Sequence, residues 1–336
     1  MEDSQMEEDV AALEAPPPEN IFIAPSIDNE KLFSGRSYSH YSAVPPSLLP
    51  SSPETPGPAC CLGVDEAGRG PVLGPMVYGL FYLPMVQSDA LLKTTHHFDD
   101  SKVLTAGVRS ALMETLCTAD PATDLYANCG WAVDLLSARD IGANMMKPAG
   151  TYNLNAQAMD STIALIRGVL RRGVNVKEIY IDTIGKPEIY QKKLEKIFPT
   201  AKVTVAKKAD SLYPCVSAAS VCAKVTRDAA LEVLAESYKD AEGEGWGSGY
   251  PSDARCSSWL KRNMDPVFGW GCETRFSWST AKDMMDVKGS AARVDWPVEE
   301  DDENSRLTDF FTAEKDNQSG DELANWFGSP AGTEVF

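Results

Sequence analysis

The sequence predicts an α/β protein: a mixed five-stranded sheet with helices on both faces, followed by a helical C-terminal extension. Three observations carry that prediction. Three apolar runs of strand length come first, with turn residues between the first two that suit an antiparallel meander. Helical and strand patterns then alternate, as parallel crossovers require. The segments on either side have compositions that cannot bury enough apolar surface to fold, which confines one domain to residues 58–286.

Residues 1–57 hold "EAPPPEN", "VPPSLLPSSPETPGP" and scattered acids, and are expected to form a disordered acidic, proline-rich leader. "ACCLGV" reads as the first strand, "MVYGLFYL" as the second and "DLYANCGWAV" as the third, with the helical stretch "GVRSALMETLC" between the last two. The period then changes. "TYNLNAQAMDSTIALIRGVLRRG" shows a threonine candidate cap, apolar spacings of three and four and a closing glycine, which together predict a long helix. "VKEIYIDTIG" follows as a strand, "PEIYQKKLEKIF" as a helix opened by proline, and "AKVTVAKKAD" as the fifth strand. "VSAASVCAKVTRDAALEVLAESY" and "SDARCSSWLKRN" are the closing helices, and residues 287–336 are expected to be an acidic, largely disordered tail.

The formal charge of -18 is unevenly spread. Leader and tail each carry -8, which leaves -2 on the domain, and there lysines 186, 192, 193, 196, 202, 207 and 208 gather, as do Arg167, Arg171, Arg172 and Lys177. Such runs are ordinarily solvated faces, yet local fields and not the total charge guide a ligand, so a nucleic-acid partner is not excluded. The eight cysteines include no C-x-x-C pair and there are only three histidines, so neither a disulfide framework nor a zinc site is indicated. A reduced intracellular compartment is expected. No segment approaches the roughly 18 consecutive apolar residues of a membrane helix.

Acidic residues recur at predicted strand ends: Asp65 and Glu66 after "ACCLGV", Asp182 after "EIYI" and Asp210 after "VTVAKKA". Any one of them has an ordinary reading as a turn or helix cap. Together they have another, because strand ends in an open sheet gather along the edge where such folds place ligands. Four adjacent carboxylates repel one another unless cations intervene. An all-oxygen set without histidine points to Mg2+ or Mn2+, and two such ions suit an in-line phosphoryl displacement. The glycine-flanked turn of Gly68, Arg69 and Gly70 allows backbone amides to approach a strand of nucleic acid.

"GVDEAGRGPVLGPMVYG", "DDSKVLT", "YNLN", "YIDTIGKPEIY", "KADSLYPCVSAASVCAKVTRD", "GSGYPSD" and "RFSWSTA" occur in an order that resembles type 2 ribonuclease H, most closely the catalytic chains of the eukaryotic heterotrimeric enzyme. The resemblance spans residues 59 to about 286 and leaves out both tails. It implies a ribonuclease H-like sheet and cleavage of the RNA strand of RNA/DNA hybrids, including 5' to single ribonucleotides embedded in duplex DNA. It implies two-metal hydrolysis leaving 3'-hydroxyl and 5'-phosphate ends, with roles in ribonucleotide excision repair and primer removal during DNA replication. Asp65, Glu66, Asp182 and Asp210 match the family's metal-binding catalytic carboxylates, and Gly68, Arg69 and Gly70 the turn that reads the ribose 2'-hydroxyl. Tyr250 matches the tyrosine that stacks on the sugar beside the scissile link. Lys102 matches a phosphate contact, with an ordinary surface lysine as the alternative. Arg227 and Lys224 suit either the nucleic-acid backbone or a local acid such as Asp228.

The tail contains "NSRLTDFF", similar to a sliding-clamp peptide except that Asn304 stands where glutamine is usual. Leu307, Phe310 and Phe311 suit clamp binding, packing against the accessory subunits B and C that the resemblance implies, or packing against their own domain. Nuclear localisation follows from the resemblance alone. Two rival functions share these features: a DNA-directed nuclease or integrase of the same fold, and a non-catalytic nucleic-acid-binding subunit.

Overall fold

The computed structural model describes residues 22–52, 54–98, 104–119, 124–147, 152–183, 185–238, 245–287 and 292. Contacts divide the chain into Met1–Ala292 and Arg293–Phe336, and no residue of the second unit is among those described. Lys102, Leu307, Phe310 and Phe311 therefore lie outside the described residues. Among the described residues no helix is long and apolar enough to cross a membrane.

The expected five-stranded sheet has six strands among the described residues. They are β1 (Tyr38–Tyr41), β2 (Cys60–Ala67), β3 (Met76–Pro84), β4 (Gly130–Leu136), β5 (Val176–Asp182) and β6 (Lys202–Ala206), in the order β1-β4-β3-β2-β5-β6. The additional strand corrects the expectation of a disordered leader over residues 1–57. Tyr38–Tyr41 pairs antiparallel with β4, after a short helix α1 (Asn29–Phe33) capped by the Asp28 carboxylate. Leu32 and Leu48 are buried, and Ser26 Oγ lies 3.1 Å from Thr226 Oγ1. Proline-rich composition governs the local chain, yet a few apolar residues and one unpaired sheet edge suffice to dock it.

Strands β2, β3 and β4 form the antiparallel meander, while β5 and β6 add to β2 in parallel. The third strand begins later than "DLYANCGWAV" suggests, because Asp124–Asn128 closes into a helical turn in which Asn128 Nδ2 donates to the Asp124 carbonyl at 3.0 Å.

Helices α2 (Ala106–Cys117), α3 (Asp124–Asn128), α4 (Ala138–Met145), α5 (Leu154–Arg171) and α6 (Pro187–Ile197) precede the one-turn α7 (Ala209–Leu212). They are followed by α8 (Pro214–Ser237), α9 (Ala254–Arg262) and α10 (Ser279–Asp286). The cap of α5 is Asn153, whose Oδ1 accepts the Ala156 amide at 3.0 Å, and not a threonine. The asparagine, extended at φ -75° and ψ 175°, reaches that orphan amide directly.

Two apolar layers hold the sheet. Cys61, Ala67, Val77 and Phe81 pack with α8 on one face, and Cys60, Leu62, Val64 and Ile181 pack with α5 residues Leu165, Ile166 and Val169 on the other. Helix α8 lies unusually close. A Cβ at Gly63 would sit 2.3 Å from the Cys215 carbonyl oxygen, and one at Gly79 2.3 Å from that of Ala219, so glycine at both positions lets the helix backbone touch the strands. That contact brings the charged end of α8 to the sheet edge.

Candidate active site

Strand register assembles the acids. In the β2–β5 pair Val64 stands opposite Ile181, which sets Asp65 abreast of Asp182 on neighbouring parallel strands, about 4.8 Å apart in backbone spacing. Strand β2 does not end at the acids, as "ACCLGV" implied, but continues to Ala67, with Asp65 opposite Gly79 and Glu66 opposite Tyr78. Alternation therefore turns Asp65 toward α8, with Cys61, and Glu66 toward α5, with Leu62 and Val64.

A cavity of about 280 Å³ opens at this edge, and Asp65, Glu66, Arg69, Asn155, Asp182 and Lys186 supply its polar wall. Asp210 is not in that lining, but it stands one residue beyond Ala209, whose amide donates to Asp182 Oδ1 at 2.8 Å. Three of the four expected carboxylates thus share the cavity, and the fourth is tied to its rim.

The electrostatics are unfavourable to the acids. Burial, then the neighbouring Asp182, hold Asp65 well above the usual carboxylate range despite the opposing charge of Lys224. Burial pushes Glu66 up to about 6, partly offset by Arg69 and reinforced by Asp182. Among the described residues no group of three or more His, Cys, Asp and Glu side chains can hold a metal ion by itself. An oxygen-only set open to a cavity suits a hard divalent ion that completes its shell with water and phosphate, and crowded anions of raised pKa are what such an ion stabilises.

Beside the acids the chain turns through Gly68, Arg69 and Gly70. Gly68 adopts φ 78°, and a Cβ there would lie 2.8 Å from the Pro75 carbonyl oxygen and 3.1 Å from Arg227 Nε. A Cβ on Gly70 would press against the Tyr250 ring at 3.2 Å, so this glycine makes the space the tyrosine occupies. Arg69 reaches across the cavity, 3.6 Å from Glu66 Oε1 and hydrogen bonded to Asn155 Oδ1.

The turn is held from behind by residues to which the sequence assigned no role. Arg275 is fully buried, and its guanidinium donates to the carbonyls of Gly68 (2.7 Å), Arg69 (3.0 Å) and Gly74 (3.0 and 3.1 Å). Trp278 Nε1 donates to the Gly70 carbonyl at 3.0 Å, with its ring 4.8 Å from the Arg275 guanidinium. Burial, then the nearby Arg227, bring Arg275 down to about 9. All three carbonyls of the turn are thereby drawn inward, while the Arg69 and Gly70 amides find no acceptor among the described residues. The only sequence signal for this clamp was the block "RFSWSTA", which contains both residues. Asn155 likewise sat unassigned in "YNLN".

Of the two readings left open for Arg227, the local pairing is present. Its Nη1 meets Asp228 Oδ1 at 3.2 Å, its Nη2 donates to the Ser248 carbonyl at 2.6 Å, and its guanidinium lies 5.6 Å from the Tyr250 ring. The Tyr250 loop is further pinned by Asp253, which accepts the Ser248 amide at 2.9 Å and hydroxyl at 3.0 Å. Burial opposes ionisation of Asp253, but the Ser248 and Arg255 bonds outweigh it and hold the carboxyl at about 2.

A mixed sheet of this order, with carboxylates at the shared edge of its parallel strands and a clamped glycine turn beside them, defines a nuclease of the ribonuclease H-like fold. The chain matches the family described as Ribonuclease HII over residues 62–281. It is 61% identical over 319 residues to the catalytic chain of ribonuclease H2 from Neurospora crassa, covering 94% of this chain and 97% of that one. It is 46% identical over 312 residues to the corresponding ribonuclease H2 chain of Schizosaccharomyces pombe, covering 92% and 89%. The crystal structure of the ribonuclease H2 from Pyrococcus horikoshii OT3 aligns with a TM-score of 0.55 at 30% identity, over 67% of this chain and 97% of that one. The chain belongs to the ribonuclease HII family, in the branch formed by the catalytic chains of eukaryotic type 2 ribonuclease H, and is a ribonuclease H enzyme.

Proposed function

We propose that the chain hydrolyses the RNA strand of RNA/DNA hybrids and cuts 5' to single ribonucleotides in duplex DNA, leaving 3'-hydroxyl and 5'-phosphate ends. The observation that carries this reading is the parallel register that sets Asp65 beside Asp182 at the mouth of a cavity shared with Glu66 and Arg69. Asp65, Glu66, Asp182 and Asp210 would hold Mg2+ or Mn2+, two ions with substrate in place, supplying Lewis-acid stabilisation of charge at the phosphorus and leaving oxygen.

The protein's own groups do the rest. The inward carbonyls of the clamped turn leave the Arg69 and Gly70 amides outward, where they select a ribose by its 2'-hydroxyl. Tyr250 packs against the adjacent sugar and demands a deoxynucleotide there. Arg227, occupied by Asp228 and Ser248, orients Tyr250 and its loop. Lys102 completes the phosphate contacts. The chain works with accessory subunits B and C in the nucleus, and residues 304–311 offer Leu307, Phe310 and Phe311 to a sliding clamp. Excision of ribonucleotides from DNA and removal of RNA primers follow from this specificity.

The test uses a duplex with one ribonucleotide and an all-DNA control, each with and without divalent ions, for the chain together with its accessory subunits. Cleavage 5' to the ribonucleotide that vanishes on chelation and in Asp65→Asn supports the reading. Cutting of the all-DNA duplex favours a DNA-directed nuclease, and no metal-dependent cleavage favours a non-catalytic binding role.

A further inference from the structure

The chain passes from β6 to the acidic edge in two residues, and the second, Lys208, holds φ 56° and ψ 41°. Among the described residues only His97 is another non-glycine residue with positive φ. Cβ crowding makes this left-handed region unfavourable for a lysine, and glycine or asparagine ordinarily takes such a place. The Lys208 side chain is exposed, so core packing of that side chain does not impose the conformation. Strained residues of this kind persist where the surroundings over-determine them, and they cluster at functional sites.

The bonds around Lys208 show what the turn achieves. Strand β6 stays joined to β5 up to its end, where the Thr183 amide donates to the Ala206 carbonyl at 3.1 Å. Two residues later the chain has reversed. The Ala209 amide, the first after Lys208, points back across to β5 and donates to Asp182 Oδ1 at 2.8 Å. The Lys208 carbonyl accepts the Ser211 amide at 3.2 Å, and the same amide lies 3.0 Å from Asp210 Oδ1. An extended residue at 208 would carry the chain on along β6, and a right-handed one would aim the next amide elsewhere. The left-handed turn therefore fixes one oxygen of Asp182 and seats Asp210 beside it.

We propose that Lys208 is a positioning residue acting through its backbone: its left-handed turn locks Asp182 and Asp210 into register, and its charge is secondary. The inference rests on the assignment of both carboxylates to the hydrolytic centre.

The test replaces Lys208 in turn by Gly, Asn, Ala, Val and Arg. Each full-length variant, with its accessory subunits, is assayed for kcat and KM on a single-ribonucleotide duplex. Exchange of the amides in residues 203–213 is followed in metal-free protein, which reads the turn without catalysis. In Lys208→Gly and Lys208→Asn, kcat holds within about twofold, it falls in Lys208→Ala, and in Lys208→Val it falls roughly fivefold to thirtyfold, the range set by the left-handed penalty. Amide protection follows the same order, while KM rises alike in all the uncharged variants. Retention of kcat by Lys208→Arg alone, with Gly as low as Ala, would overturn the proposal. If Lys208→Val does not fold, the Gly-against-Ala comparison decides. Separately, full activity in Asp182→Asn and Asp210→Asn would remove the hydrolytic assignment, while amide exchange would still report whether Lys208 sets the turn.

Discussion

The two halves of the site are built on opposite principles. At the acid edge Asp65, Glu66 and Asp182 are crowded in a cavity where burial and mutual repulsion oppose their charges. At the glycine turn each carbonyl has a donor, and the cationic side chain that supplies most of them is itself fully enclosed. The first half is held unsatisfied and stands ready for a charged ligand. The second is satisfied internally and is rigid before any ligand arrives. Chemistry needs a site whose charges gain on binding, whereas recognition of one hydroxyl needs a fixed backbone.

The contrast can be tested from its largest effect downward. Asp65→Asn is expected to lower kcat about 100- to 1,000-fold while leaving the melting temperature of metal-free protein unchanged or higher, because it removes one of the opposed charges. Steady-state cleavage and calorimetry on the same sample check both parts. Arg275→Ala should do the reverse. It strips the donors from the Gly68, Arg69 and Gly74 carbonyls, and is expected to cost about 3–5 kcal/mol in denaturant unfolding. Discrimination between ribose and deoxyribose should fall with it, and an unaltered unfolding midpoint would break the comparison.

Glu66→Gln sharpens it through pH. The carboxyl stands at about 6 in the folded protein against an ordinary 4.5, so the ionised form is penalised on folding. That penalty is absent below pH 4.5 and complete above about 6, and the shift corresponds to about 2 kcal/mol. Metal-free Glu66→Gln should therefore melt several degrees higher than the parent at pH 7.5 and no higher at pH 4.5, although its activity is lost. The smallest effect is Trp278→Phe. It removes one hydrogen bond to the Gly70 carbonyl and is expected to cost about 1 kcal/mol, with a few-fold loss on single-ribonucleotide substrates.

Local pattern carried the architecture far. Apolar runs with turn residues between them fix β2 and β3, the three-and-four spacing fixes α5, and Pro187 and Pro214 open α6 and α8 where a missing amide costs nothing. It failed where distant segments decide. Nothing in "SYSHY" distinguishes it from the proline-rich chain around it until the free edge of β4 is present to pair with it.

What the sequence by itself determined is the chemistry available. It supplies acids of the right type at successive strand ends, glycines where a turn must be tight, and no histidine or cysteine set to compete for a metal. What only the tertiary structure decided is which of these groups meet. Asp65 joins Asp182 through the register of two strands separated by more than 100 residues, and Arg275 reaches the Gly68 carbonyl across 207. A buried arginine is written with the same letter as a solvated one, and its role arises only when folding surrounds it with carbonyls and removes the water.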